Sequence, residues 1–147
     1  MQPSTIYSIA NYGVLPFWIL LAVLPHHRVT RMLVHSGLVP GLLGLVYAWM
    51  FLSASPDPEA NALSLEGVMQ LFDSERVMVA AWIHYLIFDL FVGAWETRDA
   101  QRRGIPHLLV IPCLVATLMV GPIGLLLYVL VRFFSKRVLE YDEAGAQ

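Results

Sequence analysis

The chain has 147 residues, of which 58% are hydrophobic and 14% are charged, and its mean hydropathy is +0.66. This composition excludes an ordinary water-soluble domain, which needs more polar surface at this size. The net charge of -2 gives no basis for nucleic-acid binding, and the single cysteine, Cys113, excludes an intrachain disulfide and a cysteine metal cluster. The length predicts one integral membrane domain over residues 1–147.

Four apolar runs are long enough to cross a bilayer, which requires about 20 residues. They cover approximately residues 6–24, 32–52, 77–95 and 107–131. No Lys or Arg precedes the first run and no clear cleavage site follows it, so we interpret it as a retained span rather than a signal peptide. The predicted fold class is therefore all-α, a bundle of four transmembrane helices.

The loop between the second and third runs contains a short amphipathic segment. Its apolar residues fall at i, i+3, i+4 and i+7, the spacing of one helical face: Leu65, Val68, Met69 and Phe72. This pattern predicts an interfacial helix that lies on the membrane and either anchors the chain or caps a cavity.

The basic residues favour one orientation in the membrane. The loops around residues 26–31 and 96–106 hold five of the nine Lys and Arg residues, and with four spans both loops lie on the same side. The positive-inside rule then places these loops inside and both termini outside. No Arg-rich transit segment precedes the first run, so we expect a bacterial cytoplasmic membrane protein or a mature organellar form.

The third run carries ionisable residues where lipid makes them costly, which is often a mark of function. Asp89 lies near its middle and Glu96 at its predicted end, seven residues away on the same helical stripe as Trp82. His84 lies roughly 140° away from Asp89 on an ideal helix. Burial favours the neutral form of a carboxyl group, so Asp89 is a candidate proton donor. The alternative role is structural, as a hydrogen-bonding group between helices.

Aromatic residues and helix breakers accompany these groups. The candidate substrate-binding residues are Trp82, Tyr85, Phe88, Trp95 and Pro122. The prolines of the fourth run remove helical hydrogen bonds, and the resulting kinks often shape cavities. In the second run, Gly37 and Gly41 form a GxxxG pattern, which suits close helix contact. We predict no metal site, because His84, Asp89 and Glu96 lack the i, i+3 or i, i+4 spacing that ligands on one helix need to share an ion.

Several motifs resemble a known family. The strongest are Ala81-Trp82-Ile83-His84, Asp89-Leu90-Phe91, Asp99 and Pro122-Ile123-Gly124. With weaker matches they extend the similarity from about Tyr12 to Arg132. On these motifs the chain resembles the neoxanthin synthase family, also called abscisic-acid-deficient-four-like proteins, which includes small bacterial members.

The resemblance implies an integral membrane protein that acts on a carotenoid or another isoprenoid lipid. The plant reaction isomerises violaxanthin to neoxanthin, so it needs an acid at the epoxide oxygen and a base at the carbon, but no redox cofactor. On this basis we expect Asp89 to act as the acid and His84 as the base, or the reverse, with Glu96 as a third catalytic candidate. Two alternatives stay open: a non-catalytic carotenoid- or lipid-binding accessory subunit, and a proton-coupled transporter component that would need to form a homo-oligomer.

Overall fold

The computed structural model describes residues 1–139, which form helices and contain no strand. The all-α fold class is therefore confirmed for this part of the chain. The helices are α1 (Pro3–Gly13), α2 (Leu15–Val23), α3 (Arg28–Thr30) with a π-helical continuation (Arg31–His35), α4 (Leu38–Leu52), α5 (Leu65–Phe72), α6 (Glu75–Arg103), α7 (His107–Val120) and α8 (Pro122–Lys136).

Three helical segments of the described residues have the length and apolar composition of membrane spans. They are Pro3–Val23, Arg28–Leu52 and Glu75–Arg103. They overlap the first three predicted runs, so the prediction of a membrane protein is supported at these positions. The third segment is longer than predicted, since α6 continues past Trp95 to Arg103.

The fourth predicted run, residues 107–131, is divided into two helices rather than forming one kinked span. Gly121 separates α7 from α8 with φ 41° and ψ -96°, a conformation that glycine adopts far more easily than other residues. Pro122 then occupies the start of α8, where its missing N–H costs nothing. Gly124 packs directly against the backbone of Thr117, and a side chain there would overlap it. The sequence predicted a bend here, but not two separate helices.

The predicted amphipathic helix is present as α5. The Ser64 hydroxyl accepts a hydrogen bond from the Gly67 N–H at 3.0 Å, which satisfies one of the free donors at the helix start. The side chains of Leu65, Met69 and Phe72 are exposed. This apolar face is therefore available to lipid.

The chain divides into two compact units. Unit 1 comprises Met1–Leu15 and Leu38–Phe88, and unit 2 comprises Pro16–Gly37 and the residues from Asp89 onward. The division falls within α6, so His84 and Asp89 belong to different units. That the whole chain is one membrane domain stays a prediction.

Unit 1 has an apolar core that follows helical spacing. Ile6, Ala10 and Val14 repeat every four residues along α1 and its end, and all three are buried. On the N-terminal part of α6, Val79, Ile83 and Leu86 repeat every three or four residues and are also buried. The core of unit 2 differs because it contains ionisable side chains.

Candidate functional site

Two carboxyl groups are buried on the part of α6 that belongs to unit 2. Asp89 is 7% exposed and Glu96 is fully buried. Their seven-residue spacing places them on one stripe, about 10.5 Å apart along the helix axis. The sequence placed Glu96 at a helix end near the membrane surface, where charge costs little. The position at a helix end is wrong, because α6 continues for two further turns beyond Glu96, and its side chain is fully buried.

Thr117 of α7 holds one side of the Glu96 carboxyl group. Its hydroxyl donates a hydrogen bond to Glu96 Oε1 at 3.0 Å. Glu96 Oε2 is buried and has no hydrogen-bond partner among the described residues. Such an oxygen carries a desolvation cost that a typical structural hydrogen bond would remove. Glu96 is therefore oriented by Thr117 and retains one oxygen for a further partner.

A second polar group, centred on Asp99, lies one turn farther along α6. Asp99 Oδ2 accepts a hydrogen bond from the Tyr128 hydroxyl at 2.7 Å and lies 3.5 Å from Arg132 Nη1. Asp99 Oδ1 accepts one from Arg103 Nε at 2.9 Å. Both Asp99 and Arg132 are 1% exposed. A buried ion pair of this kind requires its hydrogen bonds to offset the loss of hydration.

Trp95 forms one wall of the Asp99 group. Its ring meets the Tyr128 ring edge-on, with 5.4 Å between centroids, and Arg132 Cζ lies 6.0 Å from its centroid. Tyr128 and Arg132 therefore cover part of the Trp95 ring. Trp95, which the sequence predicted to bind substrate, thus also helps to enclose the buried arginine.

The sequence interpretation missed several residues of this region. Asp99 was part of a family motif but was not selected as a site residue, and Thr117, Tyr128 and Arg132 carried no signal of their own. Asp99 follows Glu96 by three residues, which is one turn of a helix. Extending the predicted helix beyond Trp95 would have found Asp99, whereas its partners on α7 and α8 depend on tertiary packing.

His84 lies in a different environment from Asp89. Its side chain is exposed, and its ring lies 4.5 Å from the Phe88 ring and 6.0 Å from the Tyr47 ring, measured between centroids. The structure therefore does not show His84 and Asp89 as a buried pair. Among the described residues, no group of three or more His, Cys, Asp and Glu side chains is placed to hold a metal ion.

Trp82 and Tyr85 belong to an aromatic group in unit 1. Trp82 Nε1 donates a hydrogen bond to Asn11 Oδ1 at 3.1 Å. The Trp82 ring lies 5.6 Å from the Tyr7 ring and 5.5 Å from the Tyr85 ring. Tyr7 also borders an open groove of ≈ 640 Å³, which is lined by Gln2, Pro3, Ser4, Tyr7, Glu75, Met78 and Val79.

The remaining predicted substrate-binding residues are exposed. Phe88 is on the outside of α6 beside His84. Pro122 begins α8 directly after the Gly121 turn. In the structure Pro122 forms the first residue of that helix, and its role in substrate binding stays a prediction.

Comparisons with known proteins agree with the resemblance noted in the sequence. The profile of the ABA DEFICIENT 4-like family matches residues 5–128. The chain is similar to "Protein ABA DEFICIENT 4, chloroplastic" of Arabidopsis thaliana, with 30% identity over 110 residues, which cover 69% of this chain and 50% of that protein. The chain thus spans about half the length of this curated relative. No solved structure matches it. Because the match covers most of its length, the chain belongs to the ABA DEFICIENT 4-like family.

Proposed function

We propose that this protein is a membrane isomerase that opens an epoxide on a carotenoid of the xanthophyll class without redox change. Membership of the ABA DEFICIENT 4-like family supports a carotenoid-related role, and the three long apolar helices support a site reached from lipid. The observation that carries the chemistry is Glu96, which is fully buried, oriented by Thr117 and has one oxygen without a partner among the described residues.

The reaction needs one acid and one base, and unit 2 offers two carboxyl groups on one helical stripe. One of the two carboxyl groups, in its neutral form, donates a proton to the epoxide oxygen as the carbon–oxygen bond breaks. The other, as a carboxylate, removes a proton from the polyene carbon, and the electrons of that carbon–hydrogen bond form the new double bond. One proton enters and one leaves, so the product is an isomer and no oxidant is consumed.

This assignment replaces His84 by Glu96 as the partner of Asp89 in the acid–base pair. His84 was the base expected from the family motif, but its side chain is exposed and is surrounded by Phe88 and Tyr47. Glu96 shares both the unit and the helical stripe of Asp89. The two acidic residues are therefore better suited than His84 to act on one substrate molecule.

The finer features of membrane placement are part of the same proposal. Three long helices cross the bilayer, and α7 and α8 pack beside them as two shorter apolar helices. A bacterial cytoplasmic membrane as the location rests on the sequence alone. Binding of the polyene by Trp82, Tyr85, Phe88, Trp95 and Pro122 is likewise proposed from their aromatic or kinked character.

The test is to express this chain in a violaxanthin-producing host and to separate the pigments by chromatography and identify them by mass spectrometry. The unaltered chain is expected to form a new pigment of unchanged mass. Asp89→Asn and Glu96→Gln are expected to lower its formation by about 100-fold or more, as loss of a general acid or base does. His84→Ala is the matched control and is expected to retain most activity.

Two outcomes would change the assignment. Loss of activity in His84→Ala, with Glu96→Gln active, would return His84 to the acid–base pair in place of Glu96. No conversion by a folded, membrane-inserted protein would exclude this activity. If the pigment then copurified unchanged, the accessory binding role would be favoured, with the aromatic group around Trp82 in unit 1 as its first candidate surface.

A further inference from the structure

Three parts of unit 2 meet at one of its ends. Gln101 Nε2, near the end of α6, donates a hydrogen bond to the Pro25 carbonyl oxygen at 3.3 Å, which places the segment before α3 beside α6. A Cβ atom placed on Gly104 would lie 3.7 Å from Lys136 Nζ, so the end of α8 also reaches this point. The end of α6, the segment after Pro25 and the end of α8 are therefore neighbours.

The contacts along α8 show its direction. Near its start, Gly124 packs on Thr117, which is bound to Glu96. Farther along, Tyr128 and Arg132 both contact Asp99. Together with Lys136 beside Gly104, these contacts advance along α6 and α8 in the same order.

It follows that α8 runs in the same direction as the end of α6, and that α7 runs in the opposite direction. The α7–α8 hairpin leaves one end of unit 2 after Pro106 and returns to it at Lys136. Its arms have 14 and 15 residues, or roughly 21 and 23 Å, which is less than the roughly 30 Å thickness of a bilayer core.

This end of unit 2 carries a concentration of positive charge, which we call the basic end: Arg28, Arg31, Arg98, Arg102, Arg103, Lys136 and Arg137. The acidic residues of unit 2 among the described residues are Asp89, Glu96 and Asp99, and all three are buried. The exposed charge of the described part of unit 2 is therefore positive.

We propose that the basic end contacts the phosphate groups of anionic phospholipids, and that the α7–α8 hairpin enters and leaves the membrane at that same leaflet. Lys and Arg residues next to an anionic membrane surface are each attracted to it. Non-helical backbone such as the Gly121 turn is tolerated at membrane depth where protein surrounds it, and Gly121 is buried.

The hairpin changes the charge balance on which orientation depends. Because α8 returns to the basic end, Arg132 and the seven residues of that end lie on one side of the membrane in this arrangement. They are eight of the nine Lys and Arg residues, and the ninth, Arg76, lies at the opposite end of α6. The positive-inside rule then assigns the basic end to the cytoplasmic side with a much larger margin than the sequence alone allowed. The end of α8 lies inside in this arrangement, whereas the four-span interpretation placed it outside.

Labelling of single cysteines tests the hairpin. In a Cys113→Ser background, which keeps a donor to the Leu109 carbonyl oxygen, single cysteines are introduced by His27→Cys, Ser135→Cys and Ser55→Cys. A membrane-impermeant maleimide is then applied to intact and to permeabilised cells. Positions 27 and 135 are expected to share one labelling pattern and position 55 to show the opposite one. Labelling of position 135 together with position 55 would overturn the hairpin.

Native mass spectrometry tests the lipid contact, using protein in mixed micelles with equal phosphatidylglycerol and phosphatidylcholine. The unaltered protein is expected to retain phosphatidylglycerol preferentially. In the fourfold variant Arg28→Gln, Arg31→Gln, Lys136→Gln, Arg137→Gln, the ratio of retained phosphatidylglycerol to phosphatidylcholine is expected to fall by about fivefold or more. The matched control, Arg28→Lys, Arg31→Lys, Lys136→Arg, Arg137→Lys, keeps the charge and should keep the preference. If the fourfold variant and the control retained the two lipids in the same ratio, the proposal would be contradicted.

Discussion

The two units of this chain differ most in what they bury. In unit 1, the buried side chains of the described residues are apolar. In unit 2, an apolar core also surrounds a set of buried polar and charged side chains: Thr30, Asp89, Glu96, Thr97, Asp99, Thr117 and Arg132. Burying a polar group is costly unless it is hydrogen-bonded, and burying a charge is costly unless it is also paired. The contrast therefore supports the proposal that the acid–base pair lies in unit 2, whereas unit 1 has an ordinary apolar interior.

Four glycines inside the apolar helices show a parallel difference, whereas Gly67 of α5, in unit 1, packs closely on Asn61. In unit 1, a Cβ atom on Gly41 or Gly44 would have no neighbour within 4 Å. In unit 2, a Cβ atom on Gly93 would lie 2.7 Å from Trp18 Cζ3, and Gly124 packs against the Thr117 backbone. Close helix packing thus surrounds the buried polar groups of unit 2.

Replacing Asp99 should produce the largest effect, because it would leave Arg132 buried without its carboxylate. Asp99→Ala is expected to lower the free energy of unfolding by about 3–5 kcal/mol, the usual cost of breaking a buried ion pair. Arg76→Ala is the matched control in unit 1, where the arginine bonds to Ser53 at an exposed position. Denaturant titration in detergent micelles, followed by circular dichroism, measures both. Similar small losses in the two variants would remove the energetic distinction between the units.

Alanine at two helical glycines should give effects of opposite sign. Gly124→Ala is expected to destabilise by about 1–3 kcal/mol, because the new methyl group overlaps Thr117. Gly44→Ala is expected to stabilise by about 0.5–1 kcal/mol, because alanine loses less backbone entropy in a helix and the space is open. Thermal unfolding of both variants in the same micelles tests this, and a stable Gly124→Ala variant would show that the hairpin can relax.

The smallest expected effect concerns α5 in unit 1. Ser64→Ala removes the hydrogen bond to the Gly67 N–H and is expected to weaken the helix by about 1 kcal/mol. Faster amide exchange confined to residues 65–72, measured by mass spectrometry, would report this local loss. Ser55→Ala, in the exposed loop before α5, is the control. Equal exchange in the two variants would mean that the cap contributes nothing to α5.

Much of the helical framework was predictable because it depends on local pattern. Long apolar runs predicted the membrane helices, and the seven-residue spacing predicted that Asp89 and Glu96 share one stripe. The spacing also indicated that His84 points away from Asp89. The close helix contact predicted at the GxxxG pattern of Gly37 and Gly41 is not present among the described residues. Two small residues at this spacing permit a close contact, but they do not determine which helix packs there.

By itself, the sequence determined the helical character, the membrane-length apolar segments, the family and the presence of acidic groups within α6. These follow from periodicity, composition and motif, which act over a few turns of helix. Tertiary structure alone decided that α8 turns back at Gly121, that Thr117 orients Glu96 and that Asp99 pairs with Arg132. Those features depend on contacts between residues that are far apart in the chain, and such contacts are set by side-chain packing and by the need to pair buried charges.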